Sequence, residues 1–410
     1  MPTLASTSRV SVQYKPETTF GAVATTGKTR DLRITGETLD FTVTKTVSTE
    51  INATRSISSQ VATTASAQGG VQGEFSHGEF DILMAGTMQD AWVVTGTDGV
   101  IAAGGNTTFA TGTPNTITFS VATTHNLVRG QWFRMVKSGG LNDGKLFRVA
   151  ASGGTLSTTS IPLDAGTPVA AESATPGYSL QAARLSHGTT QSSFSIQRNS
   201  NDVSPVEYMT YLGMTPSKMS LNIASGSLTT IGFDFVGKSA SRGTPGTNTL
   251  TAAGGTTGTS YTNPIHAGTT ATNCVIWVGG APLTATLVKS IGLEFDNSLG
   301  TQEAVCNLGA VGVRSGTINC TASMQIYFAA GATFFDQFLA NTNTEIVFSS
   351  TDSNGNSYVF IMPQASVATY KVNAGSKDTD LLVDVTFTAL RDTTLNKVLV
   401  IDRCGIAVTP

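Results

Sequence analysis

The chain has 410 residues, two to three times a typical domain, so several packed units are expected. Its 24 basic and 27 acidic residues make only 12% charge, about half the usual share of roughly 25%, while 40% hydrophobic residues supply cores; charge-driven disorder is excluded. A net charge of -3 without a basic run excludes a protein that grips nucleic acid, which needs clustered Lys and Arg to displace counterions. No apolar run approaches the ~18 residues of a membrane-spanning helix.

The start, Met1-Pro2-Thr3-Leu4, lacks a charged-then-apolar leader. Leu39, Phe41 and Val43 then alternate with Asp40, Thr42 and Thr44, the period-2 pattern of a strand with one buried face. A Thr/Ser-rich stretch over 44–68 leads to a strand, Val71-Gln72-Gly73-Glu74-Phe75. Residues 79–88 carry apolar side chains at helical spacing (Phe80, Leu83, Met84), predicting a helix of two or three turns over a sheet. Strands follow at 116–119, 131–135 and 145–149, then at Phe194-Ser195-Ile196 and Ile231-Gly232-Phe233-Asp234-Phe235. Residues 239–272 are Gly/Thr/Ser-rich and nearly chargeless, a linker or surface excursion. Beyond it come Leu293-Glu294-Phe295, a Gly/Asn-rich stretch at 297–315, the strand Met324-Gln325-Ile326-Tyr327-Phe328 and a second short helix at 333–341 (Phe334, Phe335, Phe338, Leu339). Asp352-Ser353-Asn354-Gly355-Asn356 reads as a hairpin tip, and Val383-Asp384-Val385-Thr386-Phe387 as a final alternating strand. The fold class is mainly β, with one short helix per half.

The two halves repeat. Phe80-Asp81-Ile82-Leu83-Met84-Ala85 matches Phe335-Asp336-Gln337-Phe338-Leu339-Ala340, 255 residues on, and Leu39-Asp40-Phe41 matches Leu293-Glu294-Phe295, 254 on. Past the helices, Met214 and Pro216 match Met362-Pro363 at a spacing of 148, so the first copy holds an extra 107 residues. The predicted organisation is a discontinuous first lobe at 1–95 and 185–240, an inserted small β domain at 96–184 facing solvent, a connector at 241–282 and a second lobe at 283–410.

Chemistry is sparse. His77, His125, His187 and His266 lack second ligands at metal spacing, and His77 before the helix suits a structural hydrogen bond. Cys274, Cys306, Cys320 and Cys404 form no C-x-x-C pair and read as free thiols. Gly254-Gly255-Thr256-Thr257-Gly258 lacks the Lys of a phosphate cradle, and no G-x-S-x-G elbow occurs. No catalytic, metal or cofactor site is predicted, so the chain is expected to be no enzyme and to use no cofactor.

The segment from Arg33-Ile34-Thr35-Gly36-Glu37-Thr38-Leu39-Asp40-Phe41 to Gln68-Gly69-Gly70-Val71-Gln72-Gly73-Glu74-Phe75-Ser76-His77-Gly78-Glu79-Phe80-Asp81 resembles tail tube (major tail) proteins of long-tailed, non-contractile bacteriophages. Gln131-Trp132-Phe133-Arg134, the 142–148 hairpin and Ser193-Phe194-Ser195-Ile196-Gln197-Arg198 through Gly213-Met214 continue the likeness, which covers residues 30–240. The resemblance implies two tandem tail-tube-type β-sandwich or barrel lobes and rings stacked into a hollow tube in the virion tail, assembled in the host cytoplasm. It implies a tape measure protein and terminator or tip proteins as partners, with DNA passing through the lumen without specific binding and no membrane partner. A two-lobe chain would build a ring as a trimer with pseudo-six-fold symmetry, a true hexamer being the alternative. Alternation places Asp40, Thr42, Asp234, Glu294 and Asp296 opposite the core, as candidates for the lumen. By position, Thr44, Ser59 and Gln68, with Asn297, Asn307 and Ser315, mark the candidate loops between rings. A tail fibre, a decoration protein or a carbohydrate-binding adhesin is the competing reading.

Overall fold

The computed structural model describes residues 6–97, 99–244, 250, 263–266, 275–283, 288–328, 331–375, 377 and 379–405. The chain is mainly β, and its described residues include two short helices, α1 (Asp81–Met88) and α2 (Gly331–Ala340). Strands of the two lobes are numbered here in chain order. The first lobe holds β1 (Val10–Pro16), β2 (Arg30–Leu32), β3 (Asp40–Val47), β4 (Gln60–Glu74), β6 (Phe194–Ser200), β7 (Glu207–Ala224), β8 (Thr230–Gly237) and β9 (Ser239–Gly243). The second holds β10 (Ile276–Val278), β11 (Val288–Asp296), β12 (Asn319–Tyr327), β13 (Thr344–Asp352), β14 (Ser357–Asn373), β15 (Leu382–Ala389) and β16 (Val400–Cys404); β5 (Ala183–Ser186) leaves the insertion and pairs with β16.

Each lobe is a sandwich whose two sheets share one long strand. In the first lobe the N-terminal half of β7 lies between β6 and β9, and its C-terminal half pairs with β8. In the second, β14 lies between β13 and β16 and then pairs with β15. A bulge marks each crossing, at 216/218 in β7 and 367/369 in β14; an extra residue bends a strand and strengthens its twist, which lets it pass between layers. The pairing registers equate Lys218 with Thr369 and Met214 with Ala365, a spacing of 151, so the Met214–Met362 match made from sequence is three residues short.

The inner sheets fuse. Residues 218–222 of β7 pair with β8 on one side, and residues 218–224 pair with β11 on the other, from Lys218 opposite Asp296 to Ala224 opposite Ser290. One antiparallel sheet therefore runs β3-β4-β8-β7-β11-β12-β15-β14 through both lobes. Its apolar face (Val71, Met219, Leu221, Phe233, Leu293, Phe295, Met324, Phe387) belongs to one core shared by both lobes. Gly69 is required where β4 passes beneath Thr38: its φ is +125°, and a Cβ there would run into the Thr38 carbonyl.

Both helices fall where helical spacing predicted them, and the 352–356 tip is a turn whose Asp352 carboxylate accepts the Asn354 and Asn356 N–H groups at 2.8 Å. Burial differs between the helices. Leu83, Met84 and Met88 of α1 are buried, whereas in α2 Phe334 packs on Phe387 but Phe335, Phe338 and Leu339 stay exposed.

The insertion is a sandwich of two four-stranded sheets around Phe109, Phe133, Phe147 and Leu180. It was expected to face solvent, but one side is docked on the outer sheet of the second lobe. Trp132 packs edge-on against Trp277 at 5.0 Å, within an apolar cluster that includes Val347 and Val359. Arg184 binds Asp402 with two 2.7 Å hydrogen bonds, and Arg148 reaches Glu345 at 2.9 Å. The connector expected at 241–282 lies largely outside the described residues, as do Gly254–Gly258 and Cys274; Ile265 and His266 pair with β13, as does β10.

Candidate assembly surface and channel face

On the fused inner sheet, alternation puts every side chain not in the core on one wet face. Asp40 and Thr42 on β3, Asp234 on β8, and Glu294 and Asp296 on β11 share that face, although they come from distant parts of the sequence. Asp384 on β15 and Lys218 and Lys371 on β7 and β14 join them, and no sequence reading had singled out these three. Asp384 was legible in the alternation of Val383-Asp384-Val385; the two lysines lie just past the bulges, where face assignment from spacing fails.

The face is low in relief. Ser220, Asn222, Ser290, Ser323, Gln325 and Thr386 fill most positions between the charges, and Gly70, Gly232 and Gly292 lie beneath the side chains of Asp234, Ser220 and Ser323. With Glu74, opposite Thr230 on the same face and paired with Arg33 at 3.0 Å, these carboxylates outnumber the cations Lys218, Lys371 and Arg33. Lys218 is tied to Glu294 at 2.8 Å, and that hydrogen bond raises its pKa. Lys371 sits directly opposite Asp384 in the register. Basic groups on this face thus have acidic neighbours, and the field is weakly negative.

The candidate loops take two forms. Thr44 and Gln68 lie in the β3–β4 ladder, with Gln68 on the wet face opposite Asp40. Ser59 closes the ladder's end, its carbonyl accepting the Ser48 N–H at 2.9 Å. This Thr-rich ribbon suits β-branched strand formers and carries Val47, Ile51, Ile57 and Val61 exposed to solvent. The second segment folds back over the first lobe instead. Asn297 is buried and donates to the Thr87 carbonyl at the end of α1 (2.5 Å), Ser315 accepts from Gln89 (3.0 Å) and Gln191 (2.7 Å), and Asn307 lies exposed at the tip.

The two edges of the sheet are open among the described residues. β3 pairs only with β4, and the C-terminal half of β14 only with β15. Apolar groups surface along the β14 edge: Val372 is 41% exposed, while Leu221, at the equivalent place beside β11, is 3% exposed.

Behind the sheet a buried ionic cluster ties α1 to the second lobe. The Asp81 carboxylate pairs with Arg403 and accepts the Tyr358 hydroxyl at 2.5 Å, while Tyr358 accepts the Gly78 N–H at 2.9 Å. Arg403 also lies over the Trp92 ring at 5.0 Å. Burial and the adjacent Asp81 hold the Tyr358 phenol well above its usual pKa, and burial lowers that of His77, whose ring lies 5.4 Å from Tyr358. The other histidines are dispersed: the His125 ring contacts the Ser157 carbonyl, and His187 Nδ1 accepts from Val398. Among the described residues no three His, Cys, Asp or Glu groups converge as a metal site, and no helix is long and apolar enough to cross a membrane. Cys306, Cys320 and Cys404 are free thiols; burial pushes Cys320 up to about 12.

An open-edged sheet carrying a polar face, with a charged cluster buried behind it, defines a protein of the β-sandwich class. The chain matches the phage tail tube protein family over residues 7–389 and belongs to that family, whose members are structural components of the phage tail. No curated protein matches it.

Proposed function

We propose that the chain is a duplicated tail tube subunit, three copies of which close into a ring with pseudo-six-fold symmetry. The duplicated units are 1–95 with 185–240 and 283–410, separated by the insertion at 96–184 and the connector at 241–282. Rings stack into the virion tube, assembled in the host cytoplasm around a tape measure protein and finished by terminator and tip proteins, and DNA passes along the wet face.

The carrying observation is the junction inside the chain. β7 and β11 already join one lobe to the next, and β14 and β3 are their open counterparts. Transferring the β7–β11 register sets Tyr370 against Phe41, as Met219 stands against Phe295, and Lys371 against Asp40, as Ser220 stands against Glu294. An oppositely charged pair thus falls at each junction, Lys218 reaching Glu294 diagonally at the first and Lys371 opposing Asp40 at the second. The ladder would end at Leu39, whose N–H is taken by Glu37 (2.8 Å) and whose carbonyl accepts Tyr211 (3.0 Å). This contact is head-to-tail, so it must close into a ring or run on as a filament, and closure removes the edges that would otherwise aggregate.

A passive conduit needs a lining that repels phosphate weakly and binds it nowhere, since each neutralised phosphate adds salt-dependent affinity. The excess of carboxylates and the neighboured lysines meet that need. Negative-stain images of the purified protein test the reading. Stacked rings whose averages hold three full-length chains are expected; dispersed monomers, or six equivalent chains per ring, would overturn the trimer.

A further inference from the structure

We propose that the exposed apolar face of α2 is the seat of the 43–65 ribbon from the adjacent copy of this chain in the same ring. The proposal rests on the ring reading above and gives the ribbon a place other than the next ring.

The template is internal. Residues 297–318 leave the second lobe between Asp296 and Asn319, a paired position, just as residues 43–65 leave the first between Thr42 and Ser66. Within the chain the 297–318 segment lies across the neighbouring lobe. Asn297 holds the last turn of α1, the Leu308 carbonyl accepts the Ala65 N–H at 2.7 Å, and Val311 and Val313 face Ile82 and Ala85 of α1 across a cavity of about 790 Å³. The outer side of α1 therefore looks onto the next lobe's excursion.

At the other end of the sheet no described residue of the chain supplies that cover. Phe338 is 39% and Leu339 66% exposed, and Phe335 and Phe328 are also open to solvent. The ribbon carries the complementary set, with Ile51 fully exposed and Ile57 and Val61 71% and 63% exposed. Such groupings of large apolar side chains on both surfaces mark contact sites rather than ordinary scatter. Reach agrees as well. In the transferred register Val43 of the adjacent copy lies beside Ala368, two residues from Tyr370, and the Tyr370 ring packs on Phe335 at 5.3 Å. The ribbon would thus start at the border of the α2 face, and the four further residues to Val47 span roughly 13 Å of strand.

Thiol crosslinking of assembled protein tests this. In a Cys306→Ser background, the pair Ile57→Cys and Leu339→Cys is treated with a short bis-maleimide and run under denaturing conditions. A second protein carrying Phe41→Cys and Tyr370→Cys reports the ring junction itself. The expected result is a ladder that ends at the trimer in both proteins. A ribbon ladder running past the size at which the junction ladder stops would place the ribbon on the next ring and overturn the seat. No ribbon crosslink, with the junction crosslinking normally, would also overturn it. A junction that fails to crosslink would instead overturn the ring reading, and the same-ring seat with it.

Discussion

Lys218 Nζ lies 2.8 Å from Glu294 Oε1 across the strand pair that welds the two lobes into one sheet. Both side chains are partly exposed, at 31% and 49%, so screening limits the pair to roughly 0.2–1 kcal/mol. Leu293, one residue away on the core face, is 3% exposed. Glu294→Gln is therefore expected to shift the denaturation midpoint barely, while Leu293→Ala costs about 2–5 kcal/mol through lost burial and a cavity. Urea unfolding of the two variants, measured side by side, checks that the weld is apolar.

The opposition of Lys371 and Asp40 between subunits gives a sharper prediction. Lys371→Asp sets two carboxylates opposite each other at the β14–β3 contact and is expected to block ring formation while leaving the monomer folded. Adding Asp40→Lys restores opposite charges and rings. Like charges directly opposed in a sheet are destabilising and opposite ones contribute about 0.2–1 kcal/mol per contact, repeated at every junction. Size-exclusion profiles of the single and double variants measure it; a double variant that stays monomeric would point to a different register.

Asp81 and Arg403 predict a large effect from a small change. Asp81 is 6% and Arg403 2% exposed. Asp81→Asn leaves a buried guanidinium without its counter-charge, expected to cost about 3–5 kcal/mol. Tyr358→Phe removes a hydroxyl that both donates to Asp81 and accepts from Gly78, costing about 1–3 kcal/mol. Thermal unfolding should rank the two variants in that order.

Much of this was written in the sequence and some could not be. Period 2 fixes which side of a strand is wet, so Asp40, Asp234, Glu294 and Asp296 could be assigned one kind of face, and helical spacing placed α1 and α2. Spacing carries no information about which edge meets which. The β7–β11 weld, the docking of Trp132 on Trp277 and the Asp81–Arg403 pair join residues far apart in the chain, and only folding shows them. The bulges at 216/218 and 367/369 hid Lys218 and Lys371, and the Met214–Met362 match rested on a likeness of residue types three residues away from the pairing register. The exposed side of α2 was equally invisible, because a run of Phe and Leu reads as core whether or not its cover belongs to the same chain.

Acid should weaken the fold through its histidines. Burial lowers the pKa of His77, His125 and His187 in the folded chain. The unfolded chain, titrating near 6.5, then binds more protons, so stability is full above that pH and falls as the pH drops below it. Each unit of depression is worth about 1.4 kcal/mol. His77→Gln is expected to lower overall stability by loss of packing yet flatten its decline between about pH 7 and 5, as read from denaturation midpoints.

The wet face makes the functional prediction. Asp234 sits on β8, two strands in from the open β3 edge, its carboxylate over Gly70 and opposite Lys218, on the wet face rather than in the core. Asp234→Lys should therefore leave tube assembly intact while placing, in a three-copy ring, three new cations around the bore at every level. Each cation offers passing DNA a phosphate contact, and the contacts repeat along the whole tube. Ejection from phage carrying this variant is expected to slow, with the delay shrinking as salt rises because counterion release drives the contact. Asp234→Asn, which removes the repulsion without adding a cation, should slow it far less. DNA release timed at two salt concentrations separates the cases: an unchanged rate for Asp234→Lys in fully assembled tails would mean that this face of the sheet does not line the channel.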